Sequence, residues 1–195
     1  MRRSRAAWAV ATLAAATLVG GCGGGGDAGD AAPTGPASSQ STSSTSTATK
    51  NAAELADARG DTKPAQLDIV NAKLAVDRAK SELSVRIDLA AAPKAGAYSA
   101  LLTCGLYIWE VGHTVSAGTG TSYVRDHVGA APETPAEGAV AGATITVTAP
   151  LSALNGCAQG GFGFQIIAAG ATGMDTAPEP GTGATPELAQ FPRVT

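Results

Sequence analysis

Asp57, Asp61, Asp68 and Asp175 are the residues whose type and placement could do chemistry in this 195-residue chain. They flank its first and last apolar alternating segments, so closing a sheet would bring some of them together as oxygen ligands for Ca²⁺. The competing reading is local, since aspartates cap turns and accept backbone hydrogen bonds readily. The sequence has no EF-hand or repeat-type calcium loop. Tyr107 and Trp109 share one face of a strand and could stack on a sugar ring, but that face continues to Val111 while the opposite one carries Leu106, Ile108 and Glu110. A tryptophan inside a sandwich core is the other reading, and an aromatic content of 4% leaves few rings for a sugar platform. His113 and His127 read as solvent-exposed residues near loops. Their spacing supports neither haem ligation with Met174 nor service as a serine's base. No catalytic signature stands out, and the chain is expected not to be an enzyme.

Strands must position these residues, because from about Ala65 the chain alternates apolar and polar positions with period two. Val70, Ala72, Leu74 and Val76 alternate with Asn71, Lys73, Ala75 and Asp77. After the polar turn Asp77 to Ser81 the chain returns through Leu83, Val85, Ile87 and Leu89. Tyr98 to Cys104 and Leu106 to Val111 predict a second hairpin turning at Cys104-Gly105, where glycine supplies the positive φ of a tight turn. Ser122 to Val128 reads as an edge strand. Ala143 to Ala149 alternates Ile145 and Val147 with threonines, and Phe162, Phe164, Ile166 and Ala168 line one face of the last strand. Pro150 to Leu154 reads as a helical turn or crossover. No segment carries a sustained helical stripe, so the expected fold is all-β, an antiparallel β-sandwich in a single domain.

The N-terminus tells where the chain goes. Arg2, Arg3 and Arg5 precede the apolar, uncharged Ala6 to Val19, about fourteen residues. That length suits a signal-peptide core and falls short of the roughly 20 of a membrane span. The stretch ends in Leu18-Val19-Gly20-Gly21-Cys22, which resembles the lipobox of bacterial lipoproteins. The resemblance implies a diacylglyceryl group on the Cys22 thiol, cleavage before it, and a protein held on the extracytoplasmic face of the cell membrane by acyl chains, palmitate among them. Cleavage there leaves 174 residues and removes three arginines, taking the formal charge from −3 to −6. An acidic chain is a poor nucleic-acid binder, and its charge gives no reason to bind anionic lipid. With Cys22 lipidated, Cys104 and Cys157 remain, either as a disulfide, favoured outside the cytoplasm, or as two small buried thiols. The expected organisation is a signal peptide over 1–21, the lipidated cysteine and a flexible Gly, Ser, Thr and Ala linker over 22–56, and the sandwich over 57–195.

Three stretches read in order carry a second likeness: Asp57-Ala58-Arg59-Gly60-Asp61 with Leu67-Asp68-Ile69-Val70, then Pro150 to Leu154 leading into Phe162-Gly163-Phe164, then Asp175-Thr176-Ala177-Pro178-Glu179-Pro180-Gly181. Together they resemble a DOMON-like, or family-9-carbohydrate-module-like, β-sandwich of exported bacterial proteins. The resemblance implies binding of sugar, haem or another ligand without chemistry of its own. Thr103-Cys104-Gly105-Leu106-Tyr107 stands where many relatives have a carboxylate-rich loop, so a mid-domain calcium or sugar site does not carry over. The expected function is a binding module for carbohydrate or another envelope ligand. The alternative is a structural or accessory lipoprotein acting through protein contacts.

Overall fold

The computed structural model describes residues 45–49, 51–129, 131–155, 157, 161–179 and 188–192. The chain separates into Met1–Ser39 and Gln40–Thr195, and everything described lies in the second unit. The expected signal helix, Cys22 and the first half of the linker lie outside the described residues.

The strands are β1 (Thr45–Thr49), β2 (Ala52–Ala56), β3 (Ile69–Asp77), β4 (Glu82–Leu89), β5 (Gly96–Cys104), β6 (Tyr107–Ser116), β7 (Thr119–Asp126), β8 (Thr134–Ala141), β9 (Thr144–Pro150), β10 (Phe162–Gly170), β11 (Gly173–Ala177) and β12 (Ala189–Phe191). One leaf runs β1-β2-β3-β4-β9 and the other β7-β6-β5-β10-β11, and every pairing is antiparallel. The free edge of β10 is shared end to end by β11 and β12. The leaves join at β8, whose Thr134–Ala136 pair with β7 and whose Glu137–Ala141 pair with β9. A strand that changes leaf in this way makes the corner of a sandwich. Among the described residues, no helix is long and apolar enough to cross a membrane.

The alternation decides what is inside. Leu83, Val85, Ile87 and Leu89 of β4 face Ala72, Leu74 and Val76 of β3, while Phe162, Phe164, Ile166 and Ala168 line β10, and all are buried. The rings of Phe162 and Phe191 stack with centroids 4.6 Å apart, which pins the short β12. The hairpin of β5 and β6 turns at Gly105-Leu106 with Gly105 at φ 62°.

The structure departs from the sequence reading in three places. Ala52–Ala56, in the stretch whose composition reads as linker, is β2, and its Ala53 and Leu55 are core residues. β7 is an interior strand flanked by β6 and β8, not an edge. The shift between Ile69 and Asn71 puts Ile69 in the core and leaves Val70 half-buried, because a bulge resets which side chains face inward. Pro150 to Leu154 holds the expected helical turn, a 3-10 turn over Leu151–Ala153, with Leu154 buried behind it.

Cys104, at the end of β5, is joined by a disulfide to Cys157, with Cα atoms 5.3 Å apart and a separation of 53 positions in sequence. Chain entropy assigns such a loop about 4 kcal/mol, and native strain trims the yield. Replacing both cysteines by alanine should therefore lower the unfolding free energy by about 2–4 kcal/mol in urea titrations while the far-ultraviolet spectrum stays that of a β protein.

Candidate functional site

The β2–β3 loop brings aspartates to the end of the sheet. Asp57 follows β2, and its N–H donates to the Val70 carbonyl at 3.0 Å. The chain then turns through Gly60 and Asp61 and returns through Leu67, which is buried and anchors the loop. Tyr98 braces it from β5: its hydroxyl accepts the Lys94 N–H at 3.2 Å and lies 3.3 Å from the Gln66 carbonyl. Asp68, next to β3, accepts the Gly60 N–H on Oδ2 at 2.8 Å. Asp175 reaches across from β11 and accepts the Ile69 N–H at 2.7 Å, beside the bulge, and the Thr62 hydroxyl at 2.8 Å.

Of the four aspartates singled out by sequence, Asp61, Asp68 and Asp175 each place an oxygen within 4.8 Å of the others. Asp57 stays outside this set but acts on it. Burial, then the charges of Asp175, Asp57 and Asp68, push the Asp61 carboxyl up to about 6.

Tyr107 and Trp109 do not form a stacking pair. Trp109 is buried in the core beside Leu102, so its ring offers no face to a ligand. Tyr107 sits at the strand end and is exposed. The reason is the alternation itself, which turns that face inward and leaves only the end of β6 beyond the core.

His113 is buried, not solvent-exposed. Its Nδ1 lies 2.7 Å from the hydroxyl of Ser122, also buried, opposite it on β7. The distance suits a base and a nucleophile, but Nε2 finds no hydrogen-bond partner and so no orienting group. Ser122 and His113 serve as a polar rung between β6 and β7.

A polar constellation that sequence reasoning did not single out covers the outer face of the same strands. Glu110 accepts from Tyr123 Oη at 2.8 Å, from Arg125 Nη1 at 3.0 Å and, on the ring nitrogen, from His127 Nε2 at 2.9 Å. Burial alone would raise the Glu110 carboxyl, but hydrogen bonds from Tyr123, His127 and Ser99 and the Arg125 charge outweigh it and hold the group below its usual range. Burial, then the Glu110 carboxylate, pushes the Tyr123 hydroxyl up. The Tyr123 ring lies flat over Gly112, where a Cβ would come within 2.8 Å of it, and the Arg125 guanidinium stands 4.8 Å above the ring centroid. Arg125 also pairs with the exposed Glu133. The signal was legible in principle: Tyr123, Arg125 and His127 fall at i, i+2 and i+4 on the face that carries Glu110.

Burial lowers the His113 pKa from 6.5, so the folded protein keeps the ring neutral where the unfolded chain takes up a proton. The stability from this neutral ring is complete above pH 6.5 and is lost as pH falls below it. Asp61 works the other way: its folded pKa of about 6 exceeds 3.8, so its repulsion is full above 6 and relieved as pH falls. His113→Asn should lose less stability than the wild type between pH 7 and pH 5 in urea titrations, and an unchanged slope would remove His113 from the response.

Compared with known proteins, the chain matches no family model, no curated protein and no solved structure.

Proposed function

We propose that this chain is a lipid-anchored, extracytoplasmic binding module with no chemistry of its own, which presents its sandwich to carbohydrate or another polar envelope ligand. The observation that carries this reading is the Glu110 constellation. A half-buried carboxylate held by several donors fixes Tyr123, Arg125 and His127 in one arrangement, so little side-chain entropy remains to be lost when a ligand docks. The side chains of Arg125 and His127 stay 40% and 39% exposed, and Glu133, at 52%, is free to yield its place on Arg125. An ordered carboxylate, guanidinium and imidazole on a sheet face match vicinal hydroxyls or an acidic group. The likeness to DOMON-like sandwiches and the lipobox at Cys22 support the same reading.

One observation favours the alternative, an accessory lipoprotein working through protein contacts. Leu106, Tyr107 and Val128 are 88%, 49% and 58% exposed, and the bond from His127 N–H to the Ile108 carbonyl sets Val128 beside Tyr107. Apolar side chains grouped at one end of a sheet suit a protein partner.

The two readings separate on a glycan array probed with the purified lipoprotein. The binding module retains at least one envelope glycan, and Arg125→Ala weakens it about tenfold or more, the loss expected when one of a pair of charged hydrogen-bonding groups is removed. Silence across the array, with crosslinking to a neighbour through residue 106, would replace this function by the second. For the anchor, Cys22→Ser should move the protein from the membrane fraction to the soluble one and abolish palmitate labelling.

A further inference from the structure

We propose that Asp61, Asp68 and Asp175 form a binding site for a divalent cation of the Ca²⁺ class, which clamps the β2–β3 loop to β11. The proposal stands on geometry and on unmet hydrogen-bonding capacity, and it is independent of the ligand-binding reading above.

Convergence is the first observation. Oxygens of the three residues lie within 4.8 Å of one another. Two oxygens on one Ca²⁺ can stand no further apart than about twice the Ca²⁺–O distance of roughly 2.4 Å, so all three fit on the coordination sphere of one ion. Ca²⁺, with six to eight oxygens in a flexible shell, suits carboxylates fixed by a loop and a strand better than the strict octahedron of Mg²⁺. The donors are all oxygens, with no His or Cys among them, which selects a hard cation over zinc or copper.

The second observation concerns what these oxygens lack. Asp68 is only 1% exposed, and while Oδ2 takes the Gly60 N–H, its Oδ1 has no hydrogen-bond partner. Both oxygens of Asp61 are likewise buried without one. Buried carboxylate oxygens are costly to leave unpaired, and the ion pairs found among the described residues lie elsewhere, at Asp77, Asp88, Glu110 and Glu133. A divalent ion would answer the open oxygens and the mutual repulsion together.

The site is also built in advance. Gly60 N–H orients Asp68, while Ile69 N–H, Thr62 Oγ1 and Thr176 N–H fix Asp175. These donors leave Asp68 Oδ1 and the Asp61 carboxylate as the open ligands, and water completes the shell.

The test uses the full-length lipoprotein in detergent, stripped with a chelator and titrated with CaCl₂ or MgCl₂ by calorimetry and thermal melting. Wild type should bind one Ca²⁺ with Kd of about 1 mM or tighter, and about 5 mM Ca²⁺ should raise Tm by about 5 °C, more than Mg²⁺ does. Asp61→Asn is the deciding variant, because Asp61, unlike Asp68 and Asp175, accepts no backbone N–H or hydroxyl that the substitution would strip away. It should weaken Ca²⁺ binding at least tenfold while melting cooperatively in chelator like the wild type. Asp77→Asn, in the exposed β3–β4 turn, should keep the full Ca²⁺ response. Absence of calcium heat and melting shift in the wild type would overturn the proposal, as would an undiminished shift in Asp61→Asn.

Discussion

A strand in this molecule cannot slide one residue along its neighbour without turning its apolar side to water. That constraint sets everything else. Val85 and Ile87 lie opposite Leu74 and Ala72, Phe164 opposite Leu102 and Ile166 opposite Ala100, and each is buried. Register therefore fixes which side chains reach the outer face, and so sets Glu110 opposite Arg125 and Gly112 opposite Tyr123. The same rule seals Trp109 and His113 inside. Among the described residues, the side chains within reach of a ligand lie on the outer face and in the loops at the strand ends.

The two charged centres obey opposite electrostatic regimes. Around Glu110 every close group is a donor or a cation, and the carboxylate is stabilised even though it is largely buried. Around Asp61 the close groups are other carboxylates, and burial adds to their effect. A fold keeps the first arrangement for what it contributes to rigidity. The second is retained against its cost, and the backbone explains how: Asp175 holds the Ile69 N–H beside the bulge, and Asp68 holds the Gly60 N–H at the turn. Those bonds tie the start of β3 to the last long pairing of the opposite leaf.

Much of this was legible in the residues. Leu83 to Leu89 and Phe162 to Ala168 alternate cleanly because each has one face in the core, and Gly105 marks its hairpin because glycine takes that φ at no steric cost. The placing of aspartates at the flanks of the first and last strands anticipated a meeting of some of them. What escaped had physical reasons. β8 buries almost nothing, so no period of two marks it. β11 and β12 are short and lean on β10 for their existence. The bulge at Ile69 inverts the inward set for one residue, which no alternation can announce. The Glu110 constellation depends on which strand lies beside β6, a fact of long-range pairing.

The corner at β8 has a dynamic consequence. Between Ala136 and Glu137 the chain passes from one leaf to the other, with only Ala136 of its eight residues even half-covered. The joint is made of peptide-to-peptide bonds, with hardly any greasy contact behind them. Parting it uncovers little oil to water, whereas prising β10 from β5 would uncover the centre of the core. The sandwich thus has a built-in hem along which it loosens first, well removed in strand order from Asp175 of β11.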